Sequence, residues 1–292
     1  MKKPSKEKQV IALLKTAVNT IAANRAILFP FCIGAFVQLL ALEILYFAPR
    51  FPFSIFFAPI IKSIWSEAFL HYPFNFVLLP KLFYYAQIII YIFLGSFLSA
   101  VAIAVVAAIN SGKKVTIRPI FKETSSSYIH IMLAAVLSFS IFLGLSASYQ
   151  LVLNRADLIR SVTGPLFLLK KSILVTEPYV NLLVGVLVSS LLAFVIPIIV
   201  VEKRKVFTAF LLNFKYLWKS FWFVFVVVLL PTLLYVPVLL LRNSIATAAQ
   251  GVLPGVQIGL IAVSVIVTLA IDATVLTAIT TYYLLQKENK GT

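Results

Sequence analysis

The sequence predicts an all-α, polytopic transmembrane helix bundle: six spans with basic amphipathic interfacial helices, forming one integral membrane domain over residues 1–292. Three observations lead there: an apolar composition, six long apolar runs, and basic residues gathered at the joints between them. Of 292 residues, 62% are hydrophobic and 12% charged, and the mean hydropathy is +1.05. Soluble domains carry roughly a quarter charged residues. This chain has too few polar side chains to clothe a water-exposed surface of its size, whereas lipid covers an apolar outer face without them.

A helix needs roughly 20 apolar residues to cross the hydrocarbon. Six runs meet that length: about 26–47, 82–109, 129–153, 180–201, 221–241 and 256–285. The second and sixth exceed it and have room to tilt or project beyond the lipid core. The first run, from Ala26 to Phe47, is too long for a signal-peptide core and reads as a retained span.

Charge sets the orientation. Lys and Arg number 25 against 9 Asp and Glu, a formal charge of +16. In a soluble protein such an excess suggests nucleic acid. Here the basic residues flank apolar runs, which assigns them to membrane topology and anionic headgroups and excludes a nucleic-acid partner. With the N-terminus inside, 17 of the 25 fall on the cytoplasmic side and 8 opposite, so both termini are expected in the cytoplasm.

The joints hold further apolar pieces. Residues 51–80 contain FPFSIFFAPIIKSIW and residues 156–179 contain GPLFLLKKSILV, each too short or too charged to span. Interfacial helices on the outer leaflet are the first reading and re-entrant turns the second. On the cytoplasmic side a basic amphipathic segment precedes spans one, three and five. In the first, Val10, Ile11, Leu14, Ala17, Val18 and Ile21 recur at helical spacing. The second is TIRPIFKETSSSYI, where Pro119 suits the start of a short helix. The third sets Phe207, Phe210, Leu211, Phe214 and Trp218 against Lys215 and Lys219. The chain reads either as three units of surface helix plus hairpin or as three unrelated basic joints. Lys113, Lys114, Lys203, Arg204, Lys205, Lys215 and Lys219 are the expected contacts to anionic lipid.

The stretch PIIVVEKRKVFTAFLLNFKYLWKSFWFV, with Pro197, Glu202, Ala209 and the Phe221–Trp222 pair, resembles the membrane domain of some glycerophosphodiester phosphodiesterases and their free-standing six-helix bacterial relatives. Asn213 stands where that family usually has Ser. The resemblance implies six helices in a bacterial cytoplasmic membrane and no chemistry, because the phosphodiesterase activity of such fusions resides in a separate soluble domain.

Asp272 is the sharpest single residue. It lies inside the sixth run, about 16 Å from Tyr283 along the helix, and an acid at that depth costs on the order of 3 kcal/mol to insert. Ser264, Thr268 and Asp272 are spaced to form one polar stripe, and Gln38 lies at a matching depth in the first span. Two readings stand: a proton or solute site, or a hydrogen-bonded helix contact. Gly255 and Gly259, four apart, predict close helix packing, with Gly251 in the turn before them. Pro30, Pro197, Pro231 and Pro237 predict kinks.

A single cysteine, Cys32, excludes an intramolecular disulfide. His71 and His130 fall on opposite predicted sides and share no metal site. No Ser–His–Asp order, HExxH or phosphate loop is present, so neither catalysis nor a cofactor is expected. The expected role is a non-catalytic, lipid-associated or scaffold component of the envelope, with lipids and other membrane proteins as partners. The alternative is a transporter or channel for a small or amphipathic solute using Asp272.

Overall fold

The computed structural model describes residues 6–157, 165–248 and 254–291, and every regular element among them is helical. In chain order these are α1 (Lys6–Ala23), α2 (Leu28–Tyr46), α3 (Ser54–Ile64) and α4 (Phe74–Ile90). A π-helical turn, Tyr91–Gly95, joins α4 to α5 (Ser96–Asn110), followed by α6 (Ile117–Ser125) and α7 (Tyr128–Asp157). Then come α8 (Pro165–Leu191), α9 (Val195–Glu202), α10 (Val206–Leu217), α11 (Phe221–Thr232), α12 (Val236–Ala248) and α13 (Pro254–Gly291).

Six helical stretches are long and apolar enough to cross a membrane: Arg25–Tyr46, Phe74–Asn110, Tyr128–Val152, Thr176–Glu202, Phe221–Arg242 and Ile258–Glu288. The chain is an all-α, six-span bundle of the multi-pass membrane class. Two of the joints between spans differ from expectation. The second span begins at Phe74 rather than 82, because α4 continues through Pro80 and Lys81. Lys81 lies about two turns into α4 with its ammonium 5.8 Å from the Trp65 ring, and a long side chain that reaches back toward the helix start does not interrupt a span. Likewise α8 starts at Pro165, so the second half of segment 156–179 is continuous with the fourth span; residues 158–164 lie outside the described residues. Only α3 stands as a short separate helix there. Its Lys62 bonds Glu67 at 2.5 Å, holding that exposed carboxyl below its usual range through the hydrogen bond first and charge second.

The core centres on α5, α9, α11 and α13, where Val101, Val106, Phe194, Ile198, Val224 and Tyr283 are fully buried. In lipid, burial of this kind stabilises the bundle through close van der Waals packing between helices, since the tails around it are as apolar as the side chains. Helix α1 lays Val10, Leu13 and Ala17 against that core. Its Ile11 and Val18, counted in one stripe from sequence, face outward. The protein-facing side also takes in Leu14 and Ile21, which are half-buried and pack against the buried clusters. On α10 the same division is sharper. Val206, Ala209, Asn213 and Leu217 turn inward, while Phe207 and Leu211 are each 74% exposed.

The expected kinks resolve differently. Pro30, Pro197 and Pro237 each occupy the first turn of a helix (α2, α9 and α12), where a missing N–H leaves no bond broken. Pro231 sits one residue before the end of α11, and a 3₁₀ turn, Leu233–Tyr235, carries the fifth span on into α12. The expected packing at Gly255 and Gly259 is not found among the described residues. A Cβ at either would meet nothing within 4 Å, since both lie on the outward side of the first turns of α13. Gly251 lies outside the described residues.

Candidate functional site

Two helices are irregular at the same place. The fourth span is broken at Leu192–Phe194, between α8 and α9. A break in lipid leaves backbone groups that no water can satisfy, at several kcal/mol each. Asn213, wholly buried on α10, closes them. Its Nδ2 donates to Leu191 O at 2.7 Å, and the Phe194 N–H donates to its Oδ1 at 3.0 Å. One amide side chain therefore holds the break and ties α10 to the span. In the second span the π-helical turn begins at Tyr91, and the Tyr128 hydroxyl donates to Phe93 O within it at 3.0 Å. Such π insertions in α-helices are rare and concentrate at functional sites.

Both irregularities line one cleft of about 290 Å³, open on one side, that reaches Asp272. That volume lies near the lower end of the range of small-molecule sites, about 300–1,000 Å³. Its walls are mostly apolar, with Phe139, Phe142, Val188, Val195, Leu276 and Ile279 among them. The polar groups are Tyr91, Ser99, Ser138, Ser189, Thr280 and Asp272. Asp272 is the only charged residue in this wall and is accessible from the cleft rather than sealed in packing. Thr280 is fully buried, and its hydroxyl has no hydrogen-bond partner. A smaller cavity of about 60 Å³ adjoins the same carboxyl and brings in Gln38, Gly34 and Thr268 from the first and sixth spans. Through Asp272, Tyr91 and Ser99 the two spaces draw on all six spans.

The expected stripe is only partly realised. Ser264 is buried and spends its hydroxyl on Ile261 O at 2.6 Å, away from the cleft. Thr268 bonds Ser264 O at 2.8 Å while bordering the small cavity. Gln38 shares that cavity with Asp272 but accepts from Gln87 Nε2 at 3.0 Å, so its partner is an amide on α4 rather than the acid. Tyr91, Ser99, Ser138, Ser189 and Thr280 were not singled out from sequence. Hydroxyls in membrane helices ordinarily bond their own backbone, as Ser138 does to Ala134 O, so their identity alone carries no signal.

The basic residues separate into groups. Lys113, Lys114 and Lys203 border one pocket of about 420 Å³ where α5, α6 and α9 end or begin. Arg204 and Lys287 lie 3.8 and 3.9 Å from Glu202, which also accepts from the buried Tyr283 hydroxyl. Burial, with the Glu202 charge second, raises the Tyr216 phenol above its ordinary pKa. Lys205, Lys215 and Lys219 are exposed along and beside α10. No group of three or more His, Cys, Asp or Glu side chains able to hold a metal ion occurs among the described residues.

The fold and this cleft define a polytopic helical membrane protein in which one acid, Asp272, borders an open-sided, mainly apolar cavity between irregular helices. No protein-family model, curated protein or solved structure matches the chain.

Proposed function

We propose that the chain binds a small amphipathic cation in the cleft and carries it across the membrane, with Asp272 as the anchor. The observation that carries this reading is the lone carboxylate in a wall without Lys, Arg or His. An ionised acid among apolar side chains is neutralised either by a proton or by a ligand's positive charge. Exchange of the two at one carboxylate is the elementary step of a proton-coupled carrier. Apolar walls such as Phe139, Phe142, Val188 and Leu276 take the ligand's hydrocarbon body. Discontinuous helices beside a midplane site are the usual construction of secondary carriers. In the cell the basic end of the bundle, with both termini, faces the cytoplasm under this reading.

A lipid-associated or scaffold role keeps one observation of its own. Phe207, Leu211, Trp218 and Trp222 are 74, 74, 87 and 73% exposed along one side of α10 and the start of α11. An aromatic strip flanked by Lys215 and Lys219 suits the bilayer interface or a partner helix.

The carrier reading is tested with radiolabelled phenyltrimethylammonium and the full chain in detergent. Saturable binding that weakens more than about a hundredfold in Asp272→Asn is expected, the scale of removing one member of a buried charge pair. Absence of saturable binding, or equal binding by Asp272→Asn, rejects a cation site. Accumulation in proteoliposomes against a pH gradient then separates a carrier from a static binder.

A further inference from the structure

Away from the cleft, the ends of three helices meet around Lys113, Lys114 and Lys203. Their convergence is built by two left-handed backbone positions. Gly112, at φ +66°, ends α5 in a Schellman turn: Gly112 N–H donates to Ile109 O and Lys113 N–H to Ala108 O, both at 3.0 Å. That turn fixes where Lys113 and Lys114 leave the helix. Lys203 ends α9 at φ 54° and ψ 35°, a conformation that favours glycine and is uncommon for a long side chain. The chain keeps a lysine there, and its ammonium lies 3.0 Å from Glu123 on α6. Helix α6 begins beside the same pocket, with Thr116 at its N-cap and Pro119 and Ile120 in the lining.

We infer that this pocket is a binding site for a phosphate group at the membrane surface. Three unit positive charges outweigh the single carboxylate of Glu123 and the half-charges at the ends of α5 and α9. The start of α6 adds a favourable half-charge. The pocket lies at the ends of the Phe74–Asn110 and Thr176–Glu202 spans, the depth at which phospholipid phosphates sit. Its floor is apolar, formed by Ala104, Ala107, Val200 and Val201, so the cationic rim is backed by a surface that an acyl chain can lie on. The same chemistry is offered by an anionic phospholipid and by free phosphate. The site does not depend on the cleft or on carrier activity.

Native mass spectrometry of the full chain, exchanged with phosphatidylglycerol or phosphatidylcholine vesicles or with inorganic phosphate, tests it. The expected result is one retained phosphatidylglycerol and no retained phosphatidylcholine. Lys113→Gln with Lys203→Gln should weaken retention by about tenfold or more, from the loss of two surface cations. Lys215→Gln with Lys219→Gln removes the same charge elsewhere and should change retention less than about twofold if the pocket is the site. Displacement of the lipid by inorganic phosphate assigns the pocket to the free anion, and resistance to it assigns the pocket to the headgroup. Equal losses in the two double variants, or a wild-type chain retaining neither ligand, overturns the site. Should the lysine variants not fold, Glu123→Gln replaces them. It frees Lys203 and removes the opposing charge, so retention should rise by about threefold, and no rise overturns the proposal.

Discussion

The fourth and sixth spans cross the same bundle and are constructed in opposite ways. Helix α13 runs unbroken from Pro254 to Gly291, and its Ser264 and Thr268 hydroxyls bond their own backbone. The fourth span stops at Leu192–Phe194 and restarts, and its open peptide groups are met by Asn213 from a different helix. An unbroken helix satisfies its own backbone and so needs no outside partner to hold Asp272 in the cleft wall. A broken one exposes backbone to the cavity and is only as well formed as the side chain that clamps it. The two are tied below the cleft, where Tyr283 of α13 donates to Glu202 at the end of α9. Asp272 thus sits on the self-sufficient helix, and the shape of the cleft depends on the one that is not.

The largest effect separating them should come from Asp272→Asn, with more than about a hundredfold loss of cation binding and an unchanged melting temperature in detergent. Unfolding together with loss of binding would mean that the acid instead holds helices together. Next, Asn213→Ala should lower stability by about 2–6 kcal/mol, since it strands the Phe194 N–H and the Leu191 C=O at about 1–3 kcal/mol each. Asn213→Ser, which keeps one polar contact, should fall between. A melting temperature equal to wild type for Asn213→Ala would show that the break needs no clamp. Tyr283→Phe, which unties the two spans, should cost about 1.5–3 kcal/mol, as for a hydrogen bond to a charged group. Hydrogen exchange should then quicken around Glu202 before it quickens at the cleft. The smallest effect belongs to Gly259→Ala on α13. The site is open, so a better helix former should be neutral or raise stability by up to about 1 kcal/mol. Destabilisation there, read from the same thermal scans, would reveal a close neighbour of Gly259 in the membrane.

How much of this was legible depends on whether a signal is local. Six spans are visible because any membrane helix needs the same run of apolar residues whatever it packs against. Asp272 is visible because it interrupts such a run at a cost. Lys113, Lys114 and Lys203 are visible as basic, but nothing in their spacing tells that residues ninety positions apart share a pocket while Lys215 and Lys219 do not. Gly255 and Gly259 carried a packing signal that the bundle leaves unused, because a small residue permits a close neighbour and does not supply one. Pro197 suggested an irregular fourth span, yet the break precedes it, at residues with no breaker among them. Gln38 shows the limit from another side: depth along a helix matched it to Asp272, and rotation about the helix turned its amide to Gln87.

The sequence by itself determined the class, the number of crossings and the depth of Asp272 along its helix, since each follows from transfer of side chains between water and hydrocarbon. Only the tertiary structure decided what surrounds that acid. The cleft, the hydroxyls that border it, the clamped break and the three-lysine pocket all depend on which way each helix is rotated and which neighbour it meets. Those choices are made by packing between distant segments, and hydropathy along the chain does not encode them.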